Sequence, residues 1–207
     1  MINKTGFETA KENMDYDVDL FEQLKESNQR FFRIYEWKHV GLTQSEKRDI
    51  PKDLLAYDHS YRLTGGGVVF HCPGDIVFSI GGSLGDDYFP SKSKDLMLWC
   101  SQLFSSALQS MDIPVYTKDE LNGAKNINFC ASYFNPYELY VKDAKVFGFA
   151  LKKTRSHFLI QGVVHVLPTE QGYSSVANLY SLFFTKGIQQ SFNIDRLYKQ
   201  LESLISS

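Results

Sequence analysis

Apolar residues recur at helical spacing in three stretches of the chain. From Ser93 to Met111, Leu96, Cys100, Leu103, Phe104, Ala107, Leu108 and Met111 fall at i, i+3 and i+4 intervals, the pattern of a helix with one buried stripe. Val18, Phe21 and Leu24 predict a shorter amphipathic helix over Asp17 to Glu26, with aspartates at its start as the helix dipole favours. Leu197, Leu201, Leu204 and Ile205 predict a third over Ile194 to Ile205. Elsewhere the pattern changes to β-branched and aromatic runs, the chemistry of strands: Arg30 to Trp37, both flanks of the glycines between Tyr61 and Gly82, Tyr137 to Val141, Lys145 to Leu151, and Phe158 to Leu167. The turn Lys142-Asp143-Ala144 makes the first two of the last three consecutive and antiparallel. The charged stretch Thr43 to Asp53, with Pro51 beyond its middle, predicts an exposed loop leading into a short helix over Lys52 to Ala56. Strand runs with a few helices and no regular alternation predict an α+β fold, a mixed, largely antiparallel β-sheet with packed helices.

Composition narrows the function classes. The 207 residues carry 22 Lys plus Arg against 24 Asp plus Glu, so no basic excess draws the chain onto nucleic acid or a membrane surface. The three cysteines, Cys72, Cys100 and Cys130, form no C-x-x-C pair, which argues against a disulfide framework or a cysteine zinc site and for a reducing compartment. His39, His59, His157 and His165 lack metal-ligand spacing, and Asp86-Asp87 beside Gly85 reads as a solvated turn. No apolar run approaches the ~18 residues of a membrane span, and the polar N-terminus lacks an apolar signal core; a cytoplasmic location is expected.

Gly65-Gly66-Gly67 is the feature that asks for an explanation, since each glycine costs roughly 0.5–1 kcal/mol against alanine inside regular structure. A tight hairpin would justify two glycines. Three, flanked by Arg62 and His71, fit a bare backbone that a ligand approaches closely and whose N–H groups face an anion. No Lys-Ser/Thr and no helix follows, so neither a Walker loop nor a dinucleotide fingerprint is present.

Arg62-Leu-Thr-Gly-Gly-Gly-Val-Val-Phe-His71 resembles the Arg-x-Ser/Thr-Gly-Gly-Gly-x-Val-x-His signature of the lipoate–protein ligase A family, within the biotin ligase, lipoate ligase and octanoyltransferase superfamily. Tyr137-Glu-Leu-Tyr-Val-Lys-Asp-Ala-Lys-Val-Phe-Gly-Phe-Ala150 resembles the second signature, a strand and turn followed by Lys-Ile/Val-x-Gly-x-Ala. Arg33-Ile-Tyr-Glu-Trp37 is similar to the Arg-x-Tyr-x-Trp strand that follows the first helix in many members. The matches run in the right order along most of the chain.

That resemblance implies a biotin/lipoate ligase-like catalytic domain spanning residues 1–207, without the C-terminal accessory domain of larger lipoate ligases. It implies lipoate or octanoate as substrate, ATP and Mg²⁺ for an acyl-adenylate, and transfer to a lysine of a lipoyl-carrier domain, of 2-oxoacid dehydrogenases or of the glycine cleavage H protein. A separate accessory protein is a further expected partner. Carried over, Lys145 sits at the acyl carbonyl and α-phosphate, where a fixed ammonium stabilises developing negative charge. The backbone of Gly65, Gly66 and Gly67 borders the acyl chain. Arg62 is a candidate phosphate or carboxyl contact, and His71 contacts the ligand or hydrogen-bonds the loop. Gly148 and Ala150, small residues on a strand, pack closely against the ligand.

Two alternatives stay open. Octanoyltransferases of the superfamily place a nucleophilic cysteine before the Tyr-Glu-Leu-type strand, and Asn128-Phe-Cys-Ala-Ser-Tyr around Cys130 looks similar, which implies an acyl thioester and no ATP. Many relatives also carry Gly-Ser-Ala-Gln or Gly-Asn-Ala-Gln where this chain has Gly148-Phe-Ala-Leu151, and His-Gly where it has Gln161-Gly162. Those departures leave a non-catalytic acyl-binding protein as the third reading.

Overall fold

A computed structural model describes residues 2–118, 135–142, 144–166, 188 and 192–206. Helix α1 (Ala10–Ser27) is set by a capping box: Thr9 Oγ1 accepts from the Glu12 N–H while the Glu12 carboxylate accepts from the Thr9 N–H. It therefore starts seven residues before the expected Asp17, and Asn28, in the left-handed region at φ 56°, ends it. The Thr9-x-x-Glu12 signal stands in the sequence ahead of the apolar periodicity, which marks only the second half of the helix.

Strands β1 (Phe31–Glu36) and β2 (Gly41–Ser45) follow. The second corrects the exposed loop expected from Thr43: β2 is buried along its whole length, parallel to β3 (Asp58–Arg62) and antiparallel to β4 (Val69–His71). Its polar residues tolerate burial because each finds a partner. Gln44, for example, donates to the Asp49 carbonyl and accepts from the Ser45 N–H. The short helix expected over Lys52 to Ala56 is a single 3-10 turn at Lys52–Leu54.

The strands β5 (Ile76–Ser83), β6 (Leu139–Val141), β7 (Ala144–Lys153) and β8 (His157–Val164) join β1 in a five-stranded sheet ordered β1-β5-β8-β7-β6, every pairing antiparallel. The smaller sheet is ordered β3-β2-β4. Among the described residues, two sheets and three helices make the α+β, largely antiparallel architecture expected.

Alternation along the strands divides the large sheet into two faces. Phe32, Ile34, Phe78, Ile80, Phe147, Phe149, Phe158 and Ile160 face α2 (Ser93–Gln109) and α3 (Ile194–Ser206), packing with Leu96, Phe104, Leu108, Leu197 and Leu201. Tyr35, Val77, Leu159 and Val163 face the other way, against Ala10, Met14, Phe21 and Leu24 of α1. The small sheet also meets α1, through β3 and β2. Among the described residues no helix is long and apolar enough to cross a membrane.

Candidate functional site

The glycine triplet lies in the loop between β3 and β4, and Arg62 shapes it from beneath. Its guanidinium donates through Nη1 to the carbonyl (2.9 Å) and hydroxyl (3.2 Å) of Thr43, and through Nη2 to the carbonyls of Gly65 (2.9 Å) and Gly67 (2.7 Å). Wrapping those carbonyls round one cation needs a reversal at Gly66, whose φ of 102° is closed to ordinary L residues. A Cβ added at Gly65 would meet nothing within 4 Å, so the loop presents bare backbone to open space. Arg62, expected at a phosphate or carboxyl, thus spends these donors on the loop itself.

His71 ends β4, buried and stacked on Trp37 with ring centroids 4.3 Å apart. Its Nε2 lies 3.1 Å from the Thr43 hydroxyl, so it joins the support of the loop rather than the loop proper. Burial first, then the neighbouring His165 and Arg62, hold its pKa well below the usual imidazole value, and the ring is neutral. Its Nδ1 and the Tyr35 hydroxyl are buried without a hydrogen-bond partner. His165 is fixed 3.2 Å from the Asp75 carboxylate, which also accepts the Cys72 N–H and closes the turn after β4.

Lys145, at the start of β7, pairs with Glu138, and the two side chains are only 8% and 4% exposed. Burial raises the Glu138 pKa, against the opposing pull of the Lys145 ammonium. Gly148 makes room for this pair, since a Cβ there would lie 2.9 Å from Lys145 Cε. Close packing at Gly148 is thus seen with Lys145, next to which the expected ligand contact would fall. Gly148 stands opposite Val163 and Ala150 opposite Gln161 in the β7–β8 register, on the face that looks toward α1. Gln161 in turn accepts hydrogen bonds from the N–H (3.3 Å) and hydroxyl (3.1 Å) of Thr64, the residue before the triplet. One continuous row on this face runs from the glycine loop through Thr64, Gln161, Ala150 and Gly148 to Lys145.

Beneath that row lies a buried polar network. Gln161 Nε2 donates to Asp17 (2.7 Å), whose carboxylate also accepts from Ser79 (2.7 Å) and the Arg33 guanidinium (2.6 Å). Arg33 donates further to the carbonyls of Thr5 and Asn13 and to the Asn13 side chain. Asp17, expected at the start of the helix, is thus a mid-helix carboxylate only 1% exposed. Sequence reasoning assigned no role to Asp17, Thr43 or Glu138. Glu138 stands within the second signature, and its acidic character seven residues before Lys145 is a signal that could have paired them.

Cys130 lies outside the described residues. Cys72 and Cys100 are buried, and burial raises Cys100 well above the usual thiol value, against nucleophilic use. Among the described residues no group of three or more His, Cys, Asp or Glu side chains is placed to hold a metal ion.

The family model described as the lipoyl protein ligase A/B catalytic domain matches residues 9–204. No curated protein matches the chain in sequence. Among solved structures, protein Ta0514 of T. acidophilum, a proposed lipoate protein ligase, aligns with a TM-score of 0.73 at 14% identity over 99% of this chain and 83% of that one. The same protein with bound lipoic acid gives 0.72, at the same identity and coverage. A lipoate-protein ligase A bound with ATP gives 0.71 at 14% identity, covering 97% and 81%. A bipartite lipoate protein ligase of Thermoplasma acidophilum, studied with its E2 lipoyl domain, gives 0.66 at 16%, covering 99% and 81%. The expected ligase-like catalytic fold is the fold observed.

Proposed function

Because the chain belongs to the lipoyl protein ligase A/B catalytic-domain family, we propose that it activates lipoate, or its octanoyl precursor, as an acyl-adenylate and transfers the acyl group to a lysine of a lipoyl-carrier domain. The observation that carries this reading is the row joining the glycine loop to Lys145 across one sheet face. In the first step the carboxylate oxygen bonds to the α-phosphorus of ATP and pyrophosphate leaves. In the second the carrier's ε-amine bonds to the acyl carbonyl, AMP leaves, and the amine's proton is lost to solvent. Negative charge grows on phosphate and carbonyl oxygens in both steps, and a fixed ammonium stabilises it. Lys145 is the residue for that task. Glu138 compensates the Lys145 charge inside the protein, and the oxygens of an anionic substrate are the groups that Lys145 would stabilise during the reaction.

The loop supplies the rest. Gly65 opens the backbone to the acyl group, Gly66 permits the reversal, and Arg62 fixes the shape through the Gly65 and Gly67 carbonyls. The unpartnered His71 Nδ1 is a buried polar atom that a ligand oxygen or hydroxyl can satisfy. Mg²⁺ travels on the nucleotide phosphates, as this ion commonly does, and no described cluster fits it as a resident metal. The ATP and lipoic acid bound by two structural relatives support the choice of co-substrates, and the E2 lipoyl domain and bipartite make-up of a third support a carrier domain and a separate accessory protein as partners.

The test is intact-mass spectrometry of a lipoyl-carrier domain incubated with lipoate, ATP and Mg²⁺, or with an octanoyl thioester and no ATP, for wild type and Cys130→Ser. A ligase modifies the carrier only with ATP and keeps most activity in Cys130→Ser. A transferase works from the thioester, carries a hydroxylamine-labile acyl adduct on Cys130, and loses it in the variant. Absence of product from every donor leaves the non-catalytic binding reading.

A further inference from the structure

Gln161 makes contacts that acyl activation does not call on. Its Oε1 receives both donors of Thr64, and its Nε2 donates to Asp17, which Ser79 and Arg33 hold from the other side. The partners fix the amide's orientation: a backbone N–H only donates and a carboxylate only accepts, so a flipped amide would set donor against donor and acceptor against acceptor. Gln161 is 6% exposed, Thr64 and Ser79 are fully buried, and Asp17 is 1% exposed, so water offers none of them a substitute partner.

We propose that Gln161 is a positioning residue for the glycine loop, clamping Thr64 to the sheet face so that the loop backbone stays in register with Lys145. The proposal rests on the reading of that loop as the acyl site. What the position requires is one acceptor toward Thr64 and one donor toward Asp17, both held in a buried network. A neutral imidazole offers the same pair, so a histidine at this position serves the same clamp, whereas an aliphatic side chain of similar size serves neither end.

Amide hydrogen exchange and steady-state kinetics test it together, on Gln161→Leu, Gln161→His and Ile160→Ala. Ile160 is the adjacent residue of β8, fully buried on the opposite face, so its truncation reports general loss of stability. In Gln161→Leu we expect faster exchange confined to residues 63–68, Thr64 foremost, and a KM for lipoate raised about tenfold or more. Gln161→His keeps wild-type loop protection and KM. Ile160→Ala lowers the melting temperature and leaves both readouts unchanged. Wild-type loop protection and KM in Gln161→Leu, loss of both in Gln161→His, or equal loosening in Ile160→Ala would overturn the proposal. Should Gln161→Leu fail to fold, Thr64→Val, which removes only the hydroxyl donor, is measured in its place and is expected to raise exchange and KM in the same direction. If wild type shows no lipoate-dependent turnover, the functional reading fails while the exchange result still decides whether Gln161 holds the loop.

Discussion

The two faces of the five-stranded sheet are built from alternate residues of the same strands and follow opposite chemistry. Toward α2 and α3 the face is aromatic and apolar: Phe78 stacks on Phe147 at 5.6 Å and meets Phe104 at a tilt with centroids 4.2 Å apart, and Phe89 meets Phe158 at 4.8 Å. Toward α1 the same strands present Arg33, Ser79, Gln161 and Gly148 beside Tyr35, Val77, Leu159 and Val163, so apolar contacts with the helix flank an ion pair and a chain of buried hydrogen bonds. Area burial and packing stabilise the first face without fixing any direction. The second is directional, since each donor in it must meet its acceptor, and it aims the glycine loop and Lys145. A period-two strand thus carries stability on one face and position on the other.

The largest effects come from breaking each face in its own way. Arg33→Met leaves Asp17 buried without its cation and is expected to cost about 3–5 kcal/mol of stability. Phe78→Ala, a large-to-small change in a packed core, is expected to cost a similar ~3–5 kcal/mol. Denaturant titration measures both. The faces then separate in the kinetics, because the folded fraction of Phe78→Ala keeps its KM for lipoate while that of Arg33→Met does not. Equal KM values in the two variants would erase the distinction.

Next in size is Lys145→Ala. Loss of its charge is expected to raise the activation barrier by roughly 2.7–4 kcal/mol, as when one oxyanion donor is removed, read as the rate of carrier modification. Lys142, in the turn three residues earlier, is more exposed, and Lys142→Ala is expected to stay near wild type. Comparable rates for Lys145→Ala and wild type would remove the lysine from the mechanism.

A smaller effect follows from His71. Its folded pKa is depressed, so the unfolded chain binds the proton that the folded chain refuses. Stability is therefore unaffected above about pH 6.5 and falls as pH drops below it, by at most about 1.4 kcal/mol per pH unit. His71→Phe, which retains a ring against Trp37, is expected to flatten that part of the curve of melting temperature against pH.

What the sequence displayed follows the same division. The sheet-facing stripe of α2, Leu96 to Leu108, is legible because periodicity records burial directly, and the glycine triplet is legible because only a special backbone tolerates it. Strand β2 is hidden in the sequence: Thr43, Gln44 and Ser45 read as loop residues, and the partners that meet Thr43, Arg62 and His71, stand far from it along the chain. Asp17 was misplaced for a related reason. A charge on a helix reads as exposed until Arg33, sixteen residues away, and Gln161, 144 away, are found beside it. Polar networks leave no periodic trace, so a single sequence records the core better than the site.

The central claim is that the face toward α1 binds the acyl group at the glycine loop. Calorimetric titration of lipoate into wild type and Gly66→Val tests it most directly, with circular dichroism to establish that the variant is folded. A β-branched side chain at a φ of 102° forces the loop out of shape and intrudes where bare backbone stood. The account predicts that wild type binds lipoate and that folded Gly66→Val binds it at least about tenfold more weakly, a change of about 1.4 kcal/mol; undiminished affinity in the folded variant would contradict it.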